Sequence, residues 1–234
     1  MADKLPAARS SQSEIDAFLG KAARTPTLTQ AKGRLIFAID ATMSRQPAWD
    51  SATEIQSDMF EVAGSIGGLA VQLVWFRGRG EFEASGWTTT PAALAARMRD
   101  VRCRSGFTQL RRVLAHVREE AARTRVGALV YVGDCFEENA DVVAKEAGAL
   151  ALLGVPAFMF HEGDDPNAAA MFREVARLTH GVYARFDAGA AKQLRDLLRA
   201  AAVYAAGGGV ALKEYGDRLG GEVKRLARAI TDGR

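Results

Sequence analysis

Short apolar runs alternate with amphipathic helical stretches along most of this 234-residue chain, and this alternation restricts its possible folds more than any other feature. Runs begin at positions 35, 69, 126, 155 and 182, and most of them are apolar at nearly every position. Such strands are typical of parallel sheets that are covered on both faces. Because helical stretches separate the runs, the pattern predicts an α/β fold with a mainly parallel sheet.

A hairpin adds one further strand. The run at residues 69–76 is joined to residues 81–89 by RGRG, and so short a connection permits only antiparallel pairing. The predicted architecture is therefore a doubly wound, Rossmann-like sheet of six strands. It is mainly parallel, has one antiparallel edge strand and carries helices on both faces.

Two helix starts are marked by capping residues. Ser51 and Glu54 form a capping box, which predicts that a helix begins there and continues to Gly67. Thr90 followed by Pro91 predicts a second start, since proline suits the first turn of a helix.

Helical segments extend the predicted domain at both ends. Apolar residues recur at helical spacing within residues 15–22 and again within residues 215–230. We therefore divide the chain into an N-terminal extension at 1–31, a domain at 32–206 and a C-terminal amphipathic helix at 207–234. We expect the extensions to pack on the domain or to form an interface, and a membrane-surface position of the basic C-terminal helix is the alternative.

Composition and charge argue against several classes of protein. The net charge of +3 is spread along the chain, so nucleic-acid binding is not expected. Cys103 and Cys135 are too few for a disulfide framework and fit a reducing cytosol, although their roles stay open. No apolar signal segment opens the chain, and Gly154 and Pro156 interrupt the longest apolar stretch, so no membrane span is expected. These features predict a cytoplasmic protein.

Oxygen-bearing side chains gather where predicted strands end. Asp40 ends the first strand, and Thr42 and Ser44 follow at alternate positions. Asp134 ends another strand, and Thr108 precedes a helix. Ligands bind at the carboxyl ends of the strands in sheets of this kind. Carboxylates and hydroxyls are hard ligands, so the group predicts a site for Mg²⁺, or for Mn²⁺ or Ca²⁺.

This arrangement resembles the von Willebrand factor type A (vWA) domain with its metal-ion-dependent adhesion site (MIDAS), over about residues 32–206. That site consists of a D-x-S-x-S loop, a distant Thr and a distant Asp at a strand end. Asp40, Thr42, Ser44, Thr108 and Asp134 match these positions, with Thr42 replacing a serine but keeping the hydroxyl. The resemblance implies that the hydroxyls ligate the metal and that the aspartates act directly or through water. One open position would take an Asp or Glu carboxylate of a partner protein.

The resemblance further implies a binding module and not an enzyme, with no catalytic residues. The predicted function is metal-dependent binding of a partner protein through its acidic side chain. Intracellular bacterial proteins of this type often work with an AAA+ ATPase, so the resemblance names such a complex as one partner by analogy. The chain itself has no G-x-x-x-x-G-K-[ST] loop. Phe107 and Phe136 flank site residues and are expected to fill the core; the alternative is that one of them is exposed and contacts the partner.

Other readings of the same residues remain open. A scaffold could bind through its helical extensions without metal, or a metal-dependent enzyme could transfer phosphoryl groups at the same oxygens. A haloacid-dehalogenase-type enzyme would need a second aspartate at the position of Thr42. Residues 40–44 could also form a simple Asx turn, and Thr108 could cap the helix that follows it.

Overall fold

The computed structural model describes residues 33–64, 66–186 and 190–219. The predicted N-terminal helix at residues 15–22, and residues 220–230 of the predicted C-terminal helix, lie outside these ranges. The division into an extension, a domain and a C-terminal helix stays a prediction.

Six strands form one sheet in the order β3-β2-β1-β4-β5-β6, and β3 alone runs antiparallel to its neighbour. This confirms the predicted mainly parallel sheet with one antiparallel edge strand. The strands are β1 (Gly33–Asp40), β2 (Leu69–Arg77), β3 (Glu81–Ala84), β4 (Ala128–Gly133), β5 (Ala157–Glu162) and β6 (Val182–Phe186).

Helices connect the strands and cover both faces of the sheet, as the alternating pattern predicts. A short 3-10 helix at Met43–Arg45 leads into the first of them. The helices are α1 (Gln46–Ile55), α2 (Ser57–Gly64), α3 (Pro91–Arg99), α4 (Leu110–Arg123), α5 (Ala140–Ala151), α6 (Pro166–Leu178) and α7 (Ala191–Leu219).

Side chains of β1 show why the sequence lacks a polar–apolar alternation there. Leu35, Phe37 and Ile39 are fully buried against α1, α2, α3 and α7 on one face. Ile36 and Ala38 are equally buried against α4, α5 and α6 on the other. Burial on both faces requires an apolar residue at every position of the strand.

One helix start was predicted wrongly. Helix α1 begins at Gln46, so Ser51 lies in its interior and does not form the N-terminal cap of a capping box. An early start is favoured because it buries Trp49, whose indole Nε1 donates to the carbonyl oxygen of Met98 at 3.0 Å. The predicted cap at Thr90 is confirmed, since its hydroxyl accepts from the backbone N–H of Ala93.

The glycine run at 207–209 interrupts helix α7, as its composition predicts. Gly208 has φ 70° and ψ −165°, a conformation that side-chain-bearing residues rarely adopt. Within the ranges that the structure describes, no helix is long and apolar enough to cross a membrane.

Candidate metal site at the carboxyl edge of the sheet

Two adjacent strands deliver the two predicted aspartates to one edge of the sheet. Strands β1 and β4 pair in parallel, with Ile39 opposite Val132. Asp40 is the last residue of β1, and Asp134 directly follows β4. Their proximity therefore follows from the strand order, as the sequence predicts.

A chain of hydrogen bonds links the first loop to Asp134. The Oδ1 atom of Asp40 accepts from the backbone N–H of Thr42 at 2.7 Å, which is the Asx turn named above as the alternative role of this loop. The hydroxyls of Thr42 and Ser44 lie 3.5 Å apart, and the Ser44 hydroxyl donates to Oδ2 of Asp134 at 2.7 Å. The hydroxyl of Ser44 uses its proton in this bond, so its lone pairs can still face a cation.

A third loop, between α3 and α4, carries Thr108. The backbone of this loop is hydrogen-bonded to the segments that follow β1 and β2. Arg104 N–H donates to the carbonyl oxygen of Ala41 at 3.0 Å, and Phe107 N–H donates to that of Gly78 at 3.2 Å. A Cβ atom on Gly106 would lie 2.2 Å from the backbone nitrogen of Gly78, so this close approach requires glycine.

Thr108 is buried and binds the loop that follows β4. Its hydroxyl accepts from the N–H of Glu137 at 3.3 Å, and its own N–H donates to the Glu137 carboxylate at 3.2 Å. The alternative role of Thr108 as a helix cap was wrong, because Gln109 occupies the cap position of α4. The carboxylate of Glu138 instead accepts from the first backbone N–H groups of that helix.

These loops enclose a small pocket of about 200 Å³. Asp40, Thr42, Ser44 and Thr108 line it, and Asp134 is joined to it through the Ser44 hydroxyl. The structure thus brings all five predicted residues to one place. Gly106 and Cys135, which the sequence places next to Thr108 and Asp134, also line it. Sequence reasoning did not name the remaining lining residues, which are Met43, Ser105 and Glu137.

The donor set suits a hard divalent cation. Asp134 Oδ1 is buried and accepts no hydrogen bond of ordinary geometry from any described residue, while the Cys135 thiol beside it is only a weak donor. A buried acceptor left in this state costs about 1–3 kcal/mol, and a bound cation would remove that cost. No group of three or more His, Cys, Asp or Glu in the described part could hold a metal. A site here would therefore depend on hydroxyls as well as carboxylates.

Cys135 has no features of a reactive thiol. Burial, followed by the charge of Asp134, raises the pKa of Cys135 to about 12. The thiol therefore stays protonated at neutral pH, and only the thiolate is an effective nucleophile. Cys103, the second cysteine, is buried.

Two large apolar side chains border the pocket. Met43 lines it and is 60% exposed, and Phe107 next to Thr108 is 59% exposed. Phe136 instead packs partly buried against the core. Of the two flanking phenylalanines, Phe107 is therefore the more exposed.

The fold and the strand order are those of a vWA-like α/β domain. No protein-family model matches the chain, and no curated protein matches its sequence. Solved structures provide the match. The vWA domain of SpRpn10 superposes with a TM-score of 0.57 at 12% identity, covering 72% of this chain and 94% of that one.

Two further similar structures are parts of longer chains. The pilus adhesin SpaC from Lactobacillus rhamnosus GG gives a TM-score of 0.59 at 11% identity, covering 75% of this chain and 30% of its own. Proximal thread matrix protein 1 from the mussel byssus, with a zinc-occupied MIDAS motif, gives 0.57 at 14% identity, covering 74% and 46%. Identities this low show a common fold and nothing more.

Proposed function

We propose that this chain is a protein-binding module in which the pocket holds a divalent cation and the cation captures an acidic side chain of a partner. The buried Oδ1 atom of Asp134 carries this proposal, because the Ser44 hydroxyl bonds the other carboxylate oxygen and Oδ1 has only the weakly donating Cys135 thiol beside it. A cation at this point would be bound by oxygen atoms from three separate loops.

The charge balance of the site favours capture of a carboxylate. Asp40 and Asp134 together neutralise a dication, and the three hydroxyls add ligands without adding charge. An incoming Asp or Glu then meets a metal whose own ligands leave no net negative charge, while the Glu137 carboxylate lies elsewhere in the pocket lining. Mg²⁺ accepts near-octahedral oxygen coordination and retains water readily, which leaves a position for exchange. The zinc-occupied motif of the mussel protein supports divalent binding at a pocket of this type.

Binding is favoured over catalysis by the state of the pocket residues. The Ser44 hydroxyl is committed to Asp134. An AAA+ ATPase is the partner we propose to test first, since this chain lacks a phosphate-binding loop of its own. In this proposal the chain acts as a bacterial, cytoplasmic adaptor.

Calorimetry and capture experiments test the proposal together. Mg²⁺ and Mn²⁺ are titrated into the wild type and into Asp40→Asn, which keeps the acceptor for the Thr42 N–H but removes the charge. Glu61→Gln, an exposed change on α2, is the matched control. Partners are then captured from a bacterial lysate with and without EDTA.

Three outcomes separate the candidate functions. Metal binding and EDTA-sensitive capture that are both lost in Asp40→Asn support the metal-dependent module. Capture that is indifferent to EDTA and to the substitution contradicts it and favours a scaffold. Metal-dependent hydrolysis of a phosphate ester, absent in Asp40→Asn, would instead identify an enzyme.

A further inference from the structure

A larger groove lies next to the candidate metal pocket, between helices α5 and α6. Its volume is about 570 Å³, within the range of about 300–1,000 Å³ that is usual for ligand sites. Alanines of both helices and the side chains of Phe136 and Met171 give it an apolar floor. Glu137 lines both the groove and the metal pocket, so the two cavities are contiguous.

The groove carries negative charge that the described residues do not neutralise. Glu137, Glu138 and Asp141 line it, and none of them forms an ion pair with a Lys or Arg in the part of the chain that is described. Glu137 accepts a hydrogen bond from a neutral backbone N–H group, which leaves its charge uncompensated. Glu138 is partly compensated, because it binds the N-terminus of α4 and lies near the positive charge of Arg111. Glu174 adds little to the net negative charge of the groove, because Arg177 donates to both of its carboxylate oxygens, at 2.7 and 2.8 Å.

A bond between the metal and a carboxylate could form with any accessible Asp or Glu, so it does not select the residues around that carboxylate. Selection of the partner must therefore come from the surface next to the metal. An acidic segment would be repelled by Glu137 and Asp141. A segment with apolar and basic residues would fit, because Lys and Arg can lay their methylene stems on the apolar floor and keep the charged end near the carboxylates.

We propose, on the basis of the proposed function, that the partner segment places an acidic residue on the metal and a basic, apolar stretch in the groove between α5 and α6. The metal supplies attraction for one carboxylate. Charge complementarity in the groove then fixes which way the segment runs and rejects acidic sequences that the metal alone would accept.

Three labelled peptides of equal length test this inference by fluorescence anisotropy with the full chain at 150 mM salt. Each contains one central Asp, and its flanking residues alternate Leu-Arg, Leu-Glu or Ser-Gly. We expect the Leu-Arg peptide to bind most tightly, by about tenfold over the Ser-Gly peptide. Asp141→Lys should remove this advantage and improve binding of the Leu-Glu peptide.

Glu61→Lys is the matched control, because it makes the same charge change at an exposed position on α2, across the sheet from the groove. This substitution should leave the relative affinities of the three peptides unchanged. Equal affinity for the peptides, or the same loss of the Leu-Arg advantage in both lysine variants, would overturn the inference.

The metal is tested separately by repeating each titration in EDTA and with Asp40→Asn. Preference for the Leu-Arg peptide that depends on Asp141 but not on Mg²⁺ supports the groove and contradicts the metal-dependent function. Peptide binding that requires Mg²⁺ but does not depend on the flanking residues supports the metal-dependent function and contradicts the proposed role of the groove.

Discussion

Ser44 donates a hydrogen bond of 2.7 Å to Oδ2 of Asp134, although 90 positions separate the two residues in the chain. The bond joins the loop after β1 to the loop after β4. A hydroxyl that donates to a carboxylate forms a charge-assisted bond, which is stronger than a neutral one. It fixes one oxygen of Asp134 and leaves the other buried beside the pocket, where a cation would bind it.

Metal binding should therefore stabilise the folded chain, and Asp134→Asn should abolish the effect. Mg²⁺ at about 100 times its dissociation constant would add about 2.7 kcal/mol to the free energy of unfolding. For a domain of this size that raises Tm by roughly 5–10 °C. Differential scanning calorimetry with MgCl₂ or with EDTA measures the shift. A Tm that Mg²⁺ raises equally in the wild type and the variant would rule out Asp134 as a ligand.

The hydroxyl at position 42 should matter and its methyl group should not. Thr42 is largely buried, so Thr42→Val preserves the volume and removes the oxygen, whereas Thr42→Ser preserves the oxygen. We expect the valine variant to lose Mg²⁺ affinity by at least about tenfold, in the range typical for groups that support a metal site. The serine variant should bind like the wild type in calorimetry. Equal affinity of both variants would assign Thr42 a structural role alone.

Much of the fold follows from local sequence. Runs such as 35–39 are buried on both faces, and that state demands an unbroken apolar strand. The strand ends at Asp40 and Asp134 were predictable for the same reason, because the first charged residue after a buried run marks the edge of the sheet. Strand order then brings the two aspartates together without further information.

Contacts between distant loops were not predictable in this way. The two hydrogen bonds between Thr108 and Glu137 depend on the relative position of two loops. No sequence pattern around either residue identifies the other as its partner. Placement at the edge of the sheet could have identified Glu137 and Glu138, since they lie in the loop that follows the end of β4 at Gly133. Helix α1 was misjudged because a tertiary contact, the burial of Trp49, overrides the local capping signal at Ser51.

Phe107→Ser should weaken partner capture without changing metal affinity. The side chain is mostly exposed, so its removal costs the fold little, but its neighbours Gly106 and Thr108 line the pocket where a partner would be held. Loss of a contact of this kind costs about 1 kcal/mol or more, which is roughly a fivefold change in affinity. Leu152→Ser is the control, because Leu152 is 90% exposed at the opposite edge of the sheet. Equal effects of both substitutions on captured partner would contradict a specific role for Phe107.

Stability should decrease in mild acid because of His116. Burial, opposed in part by Glu120 and Glu119, lowers the pKa of His116 below its ordinary value of 6.5. The unfolded chain therefore binds this proton more readily than the folded one. The stabilising contribution is fully present above about pH 6.5 and declines as the pH falls toward the lower pKa of the folded state.

Urea unfolding at pH 7 and pH 5 measures this loss for the wild type and for His116→Gln. The glutamine variant should lose less stability between the two pH values, because it has no proton to take up at this position. Its amide can also replace the ring in the 2.9 Å contact between Nε2 of His116 and Oε1 of Gln72. His180→Asn, at an exposed position after α6, should behave like the wild type. An identical loss of stability in His116→Gln and the wild type would show that the acid sensitivity originates at other groups.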